Sequence, residues 1–217
     1  MNNILTPLLL SLKVSIIATI IAFIIGILLA WWFAFNKTKL TNFFSIVVTI
    51  PLVIPPTVLG YYLLVTLGRG SPIGQWIEAL TGQPLVFTWK AAVIAAAIAA
   101  LPLLIRPIQA SFESIPLETL KAAELDGANK FQILRYVIVP LSYKGILAGL
   151  VLGFARAMGE FGATLMVAGN IPGKTQTLSI AIYDAVQADR MVDANLMVLI
   201  LTVSTILFLY LIHRWFK

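Results

Sequence analysis

Several stretches of this chain are apolar for long enough to cross a bilayer, and that property removes most folds from consideration. A spanning helix needs ~20 apolar residues at ~1.5 Å rise each. Residues 7–35, 40–68, 85–105, 145–168 and 194–212 are each read as a membrane segment. The charged fraction agrees, at 11% against about 25% in soluble domains. Inside lipid the backbone must satisfy its own hydrogen bonds, which helices do within a single segment. The expectation is an all-α polytopic membrane protein with about five transmembrane helices, forming a single domain over residues 1–217. No part of the chain outside these segments is large enough to fold as a separate soluble domain.

The N-terminus, MNNILTPLLLSLK, has no basic stretch before its apolar run and no small-residue cleavage site, so it reads as a retained first span. Lys13 lies near enough to an end to snorkel. Pro51, Pro55 and Pro56 predict a kink in the second segment. Residues 69–84, with GRGSPIG and TGQP, read as a polar hairpin of turn residues. Trp89 and Lys90 suit an interfacial position at the start of the third segment. LSIAIYDAVQ, residues 178–187, reads as an amphipathic piece too short to span.

Cysteine is absent, which excludes disulfides, thiolate metal sites and thiol nucleophiles. The net charge of +6 is spread along the chain rather than clustered, so nucleic acid is not an expected partner; membrane lipid is. No metal site is expected. The positive charges matter for orientation. One set of loops holds Lys37, Lys39, Arg106, Lys121, Lys130, Arg135, Lys144, Arg214 and Lys217; the other holds Lys13, Arg69, Lys90, Lys174 and Arg190. The heavier set is expected in the cytoplasm, placing the N-terminus outside and the C-terminus inside a cell (inner) membrane.

One passage interrupts the apolar pattern. Lys121 to Pro140 reads KAAELDGANKFQILRYVIVP. Pro116 can start a helix, Glu118 falls in its first turn, and Gly127 can end it. Ala122 and Ala123 give that helix a thin face. So short a helix is marginal in water and needs something to pack on. A helix lying on the lipid surface is the competing reading. Beyond it, an apolar return from Phe131 to Val139 precedes a bend at Pro140.

The spacing Ala122-Ala123, three residues, Gly127, nine residues, Val137-x-Val139-Pro140 resembles the cytoplasmic coupling loop of ABC importer permeases. The chain departs at Lys121, where that family prefers Glu. The resemblance implies the ABC importer permease fold and a coupling loop over about residues 112–144. Lys121, Ala122, Ala123, Glu124, Asp126, Gly127, Val137, Val139 and Pro140 would then engage a cytoplasmic ATPase. ATP and magnesium would sit on that separate subunit, with no cofactor in this chain. It also implies an external binding protein. Five spans alone rarely enclose a gated path, so a second permease copy is expected, with a homodimer by C₂ symmetry first and a related second permease as the alternative.

GEFGA (159–163) followed by GNIPGKT (169–175) resembles the molybdate permeases most and the sulfate permeases next, and GRGSPIG resembles the first external loop of molybdate permeases. The function implied is import of a tetrahedral oxyanion, molybdate first, with tungstate and sulfate as alternatives. AGNIPGKT also fits the outline of a phosphate-binding loop. It follows a membrane segment rather than a strand and carries Pro172, so nucleotide binding is not expected there.

Arg156 and Glu160 are the charges well inside a predicted span, four residues apart on one helix face. They can form a structural ion pair or stand beside the anion pathway; Thr164 joins them as a candidate pathway or gate residue. Gly145, Gly149 and Gly153 recur at four-residue spacing, which permits close helix packing within one subunit or at a dimer seam. Enzyme readings fail on inventory. His213 is the sole histidine, and a second membrane-embedded acid to partner Glu160 is lacking. Asp184, Asp189 and Asp193 read as solvated loop acids. A proton-coupled secondary transporter using Glu160 is the rival transport class. It leaves the coupling-loop pattern unexplained, and the internal repeats common in such folds are not seen.

Overall fold

The computed structural model describes residues 2–215, without the side chains of residues 2, 3, 212, 213 and 215. The sequence readings of His213 at the membrane edge and of Lys217 as a terminal positive charge therefore fall outside the described residues.

Among the described residues all regular structure is helical. The helices are α1 (Asn2–Phe35), α2 (Lys39–Val53), α3 (Pro56–Leu67), α4 (Pro72–Thr81), α5 (Trp89–Glu113), α6 (Leu117–Leu125), α7 (Lys130–Ile133), α8 (Val139–Leu141), α9 (Tyr143–Met158), α10 (Gly162–Ala168), α11 (Leu178–Gln187) and α12 (Met191–Trp215). A π-helical turn, Leu134–Ile138, joins α7 to α8. α1, α5 and α12 are each long and apolar enough to cross a membrane, and two bent helix pairs raise the possible number to 5.

α5 is the axis of the fold. Its alanines at 91, 92, 95, 96, 99 and 100 are buried, as are Leu104, Ile105, Ile108 and Phe112 further along. Small side chains let α1 and α9 approach it from two sides. Ala18, Ala22 and Ala30 of α1 are buried there, and a Cβ on Gly26 would stand 2.6 Å from Leu104 Cδ2. Without a hydrophobic drive between helices in lipid, this close van der Waals fit is the main source of cohesion. A smaller cluster (Leu178, Ala181, Ala185, Ala194 and Met197) ties α11 and α12 to the start of α1. There Ser11 Oγ accepts a hydrogen bond from the Leu178 amide at 2.7 Å.

Several expectations are corrected. The kink expected from Pro51, Pro55 and Pro56 is present and goes further, to a full break: the chain bends by 114° between α2 and α3. Ile54 and Pro55 are extended, with ψ of 147° and 137°, and Pro56 opens α3. The third helix does not stop at Ile105. It runs to Glu113 because Ile108 and Phe112 continue its buried stripe. Residues 69–84 are more than turns, since Ser71 caps α4 by accepting from the Gly74 amide and Gly82 ends it at φ 70°. Arg69 and Glu78 close that segment in a forked ion pair with Nη2–Oε1 at 2.8 Å. The Glu78 hydrogen bond, then its charge, holds the Arg69 guanidinium above its ordinary range. Residues 145–168 are likewise broken. α9 ends at Met158, and α10 begins at Gly162.

Candidate functional site

Two places carry the chemistry singled out in the sequence: the segment from α6 to α8, and the break between α9 and α10.

α6 is held inward by Leu120, which is buried, and by the half-buried Ala123. Leu117, Lys121, Ala122, Glu124, Leu125 and Asp126 are exposed. The two alanines thus divide their work, with Ala123 facing the core and Ala122 the outside. Leu117, Lys121 and Leu125 are spaced to form one outward stripe, and Leu125 is 90% exposed. Its end is strictly built. Gly127 lies at φ 84°, its amide donates to Glu124 O at 3.0 Å, and the Ala128 amide donates to Ala123 O at 3.1 Å. This pair of bonds around a left-handed residue is the Schellman arrangement, and Ala123 and Ala128 both pack against the main core.

The chain then reverses. Asn129 and Gln132 cap each other's amides, at 2.7 and 3.0 Å, to begin α7. Ile133, Leu134 and Ile138 turn into the core, Val137 and Val139 are half-buried, and Pro140 is exposed. Pro140 has no amide to donate, and the helix widens to a π turn just before it, with the Val139 amide reaching back to Leu134 O. Ser142 ends the return. Residues Lys130–Leu141 meet α9 at 79°.

α9 carries the glycine series, and all three glycines face α5 of the same chain. A Cβ on Gly145 would meet Ser111 Cβ, one on Gly149 would stand 2.6 Å from Leu104 O, and one on Gly153 would stand 3.1 Å from Leu104 Cδ1. The stripe is therefore spent on packing within the protomer.

At the break after α9, Glu160 Oε1 accepts the Ala163 amide at 2.8 Å, capping the start of α10. Its Oε2 lies 2.6 Å from Arg156 Nη1, an ion contact without hydrogen-bond alignment. The Glu160 side chain is 1% exposed and that of Arg156 23%. The two are paired as expected, although Glu160 stands beyond the helix end rather than on the same helix. Thr164 is buried on α10, which packs against α3 and α5. Gly60 of α3 is required for that contact, since a Cβ there would stand 2.8 Å from Ala163 Cα.

The GNIPGKT loop folds on itself. The amides of Lys174, Thr175 and Gln176 all donate to Ile171 O, at 3.1, 2.9 and 3.1 Å. Thr175 Oγ1 accepts from the Ile171 amide and donates to Gly169 O. A phosphate-binding loop presents its amides to the ligand, whereas these are already committed, so the loop is not built to cradle a nucleotide.

Arg106 has a role that the sequence reading missed by placing it beyond the third helix. On α5, its guanidinium donates to Ser45 Oγ at 3.1 Å, Ser45 O at 3.2 Å and Thr49 Oγ1 at 2.5 Å, fastening α2 to α5. The available signal was the uninterrupted apolar period through Ile105, Ile108 and Phe112.

A bundle of membrane-length helices, with the short helix α6 displayed outside its core, defines a multi-pass membrane protein. The chain belongs to the family described as "Binding-protein-dependent transport system inner membrane component", which matches residues 22–217. Within that family it is similar to molybdenum transport system permease proteins. ModB of Azotobacter vinelandii is 39% identical over 86% of this chain and 82% of its own, and ModB of Escherichia coli (strain K12) is 36% identical over 95% and 90%. YvgM of Bacillus subtilis (strain 168) is 43% identical over 96% of this chain and 92% of its own. The fold is also that of a chain from the inward-facing MetNI methionine ABC transporter, with a TM-score of 0.77 at 18% identity, covering 99% of this chain and 94% of that one. The relatives are named as permeases, and this chain is a transport subunit rather than an enzyme.

Proposed function

We propose that this chain is the membrane-spanning permease of an ATP-driven importer for molybdate, working as a homodimer with cytoplasmic ATPase subunits and an external binding protein. ATP and magnesium act on the ATPase, and this chain converts their cycle into alternating access. The N-terminus faces outward and the α6–α8 segment faces the cytoplasm, as the uneven distribution of positive charge favours. The observation that carries the reading is α6 itself. It is fixed on one side by Leu120 and Ala123, is ended by Gly127, and leaves Leu117, Lys121, Ala122 and Leu125 uncovered. A short helix so anchored transmits displacement to α7, α8 and α9 instead of absorbing it. The names of the relatives support molybdenum as the cargo.

The test is reconstitution with the cognate ATPase and binding protein. Uptake of radiolabelled molybdate should require ATP and the binding protein, and unlabelled tungstate and sulfate should be compared as competitors. Leu125→Asp should assemble in the membrane but recover less ATPase on affinity purification. Normal ATPase recovery and uptake with that variant would remove α6 as the coupling element.

A further inference from the structure

The GNIPGKT loop, excluded as a nucleotide site, delivers its lysine to another place. A cavity of about 400 Å³ lies between that loop, α1 and the start of α5; it is lined by Lys13, Lys90 and Lys174, with Phe87, Thr88 and Trp89 among its walls. No Asp or Glu lines it. Among the described residues, none of these three ammonium groups is in an ion pair. The other two cations of the same loop set behave differently. Arg69 is forked onto Glu78, and Arg190 is held by Asp184 and Asp193. The neighbouring cavity that contains Arg190 includes those two acids in its lining. Neutralisation is thus the local habit, and the three-lysine cavity departs from it.

The departure is built in at two further points. Lys13 Nζ is seated 3.7 Å from the centre of the Trp89 ring, a cation–π contact that fixes where the charge stands. Lys90 sits in the first turn of the 25-residue α5, whose N-terminal end adds positive potential. Gly173, at φ 76°, shapes the turn that brings Lys174 to the opposite wall.

We propose that this cavity is a capture site for a tetrahedral oxyanion, supplied either as a free dianion or as the phosphate of a lipid headgroup. It rests on the proposed function only for the side of the membrane it faces. Three uncompensated cations between low-dielectric walls focus the field and concentrate counter-ions, with an effect that falls steeply as salt rises. The lysines are exposed, so an anion is held with water and exchanges quickly, which suits capture rather than storage.

The full chain in nanodiscs provides the test, without ATP, ATPase or binding protein, so failed uptake and failed binding are read separately. One arm measures equilibrium binding of radiolabelled molybdate and inorganic phosphate in phosphatidylcholine discs at low and high salt. The other measures enrichment of phosphatidylglycerol around the protein in mixed discs. The wild type should bind in at least one arm, and high salt should weaken free-anion binding. Lys13→Gln/Lys90→Gln/Lys174→Gln should weaken it by about tenfold or more, while the ion-paired control Arg69→Gln should not. Lys174→Gln alone, on an exposed turn, should give a smaller loss in a variant with no packing to disturb. Free-anion binding alone assigns the site to the cargo, and lipid enrichment alone assigns it to the headgroup. No binding in either arm, or a triple variant and a Lys174→Gln variant both equal to wild type, overturns the proposal.

Discussion

The backbone of Leu104 runs so close to Gly149 that a Cβ added to the glycine would stand 2.6 Å from the Leu104 carbonyl oxygen. Neither atom can yield without moving α9 away from α5. Gly149→Val should therefore destabilise the protein by about 1–3 kcal/mol, the usual range for overpacking, and lower its melting temperature in detergent. Gly159→Ala is the matched control, because its added Cβ meets nothing nearer than Ala155 O at 3.5 Å. Equal melting of the two variants at one scan rate would refute the packing role.

Arg156 and Glu160 should behave as a structural pair. Removing Glu160 alone leaves the Arg156 charge without its partner, and breaking a buried pair costs about 3–5 kcal/mol in soluble proteins. Glu160→Gln alone should thus lower membrane yield more than Arg156→Met with Glu160→Gln. In both, the Gln side-chain oxygen can still cap Ala163. Uptake at matched membrane levels should survive in the double variant. Lost uptake with intact ATPase stimulation would instead place the pair in the anion pathway.

Gly127 gives a graded test of coupling. A Cβ there meets nothing within 4 Å, and φ is 84°, so the penalty is conformational rather than steric. Gly127→Ala should weaken ATPase association by about tenfold for ~1–2 kcal/mol of left-handed strain, and Gly127→Val by more, because β-branching adds to that strain. Gly127→Asn should retain most of it, because Asn tolerates that conformation. Quantitative co-purification reads the order. A loss in Gly127→Asn as large as in Gly127→Ala would contradict the strain argument.

Topology is directly measurable, since the chain has no cysteine of its own. Asp126→Cys should react with an impermeant thiol reagent only from the cytoplasmic side, and Gly70→Cys only from outside. Both positions are exposed, and Gly70 has free space around it. Reaction of Asp126→Cys from outside would reverse the orientation and remove the coupling assignment with it.

The apolar segments, the Pro116-to-Gly127 helix and the pairing of Arg156 with Glu160 were legible in the sequence because each rests on spacing along one helix or on a residue with restricted backbone. α4 was also legible in principle: Ser71, Pro72 and Gly82 are a cap, a first-turn proline and a terminator, but their turn propensity drew the reading toward a hairpin. What spacing could not reveal was partnership between distant segments. Nothing local to Arg106 names Ser45 or Thr49. Nothing in the glycine series says which neighbour it faces, and the convergence of Lys13, Lys90 and Lys174 depends on three separate elements meeting.

α1 runs unbroken for 34 residues, a length of about 51 Å at ~1.5 Å per residue. The hydrocarbon layer is only about 30 Å thick, so α1 must lean or project from the surface. Because α5 lies along α1, and α9 along α5, a change in lean carries the three together as one body. To the extent that α1 leans rather than projects, bilayer thickness sets the posture of the whole trio: shorter acyl chains favour a steeper inclination and longer chains a more upright one.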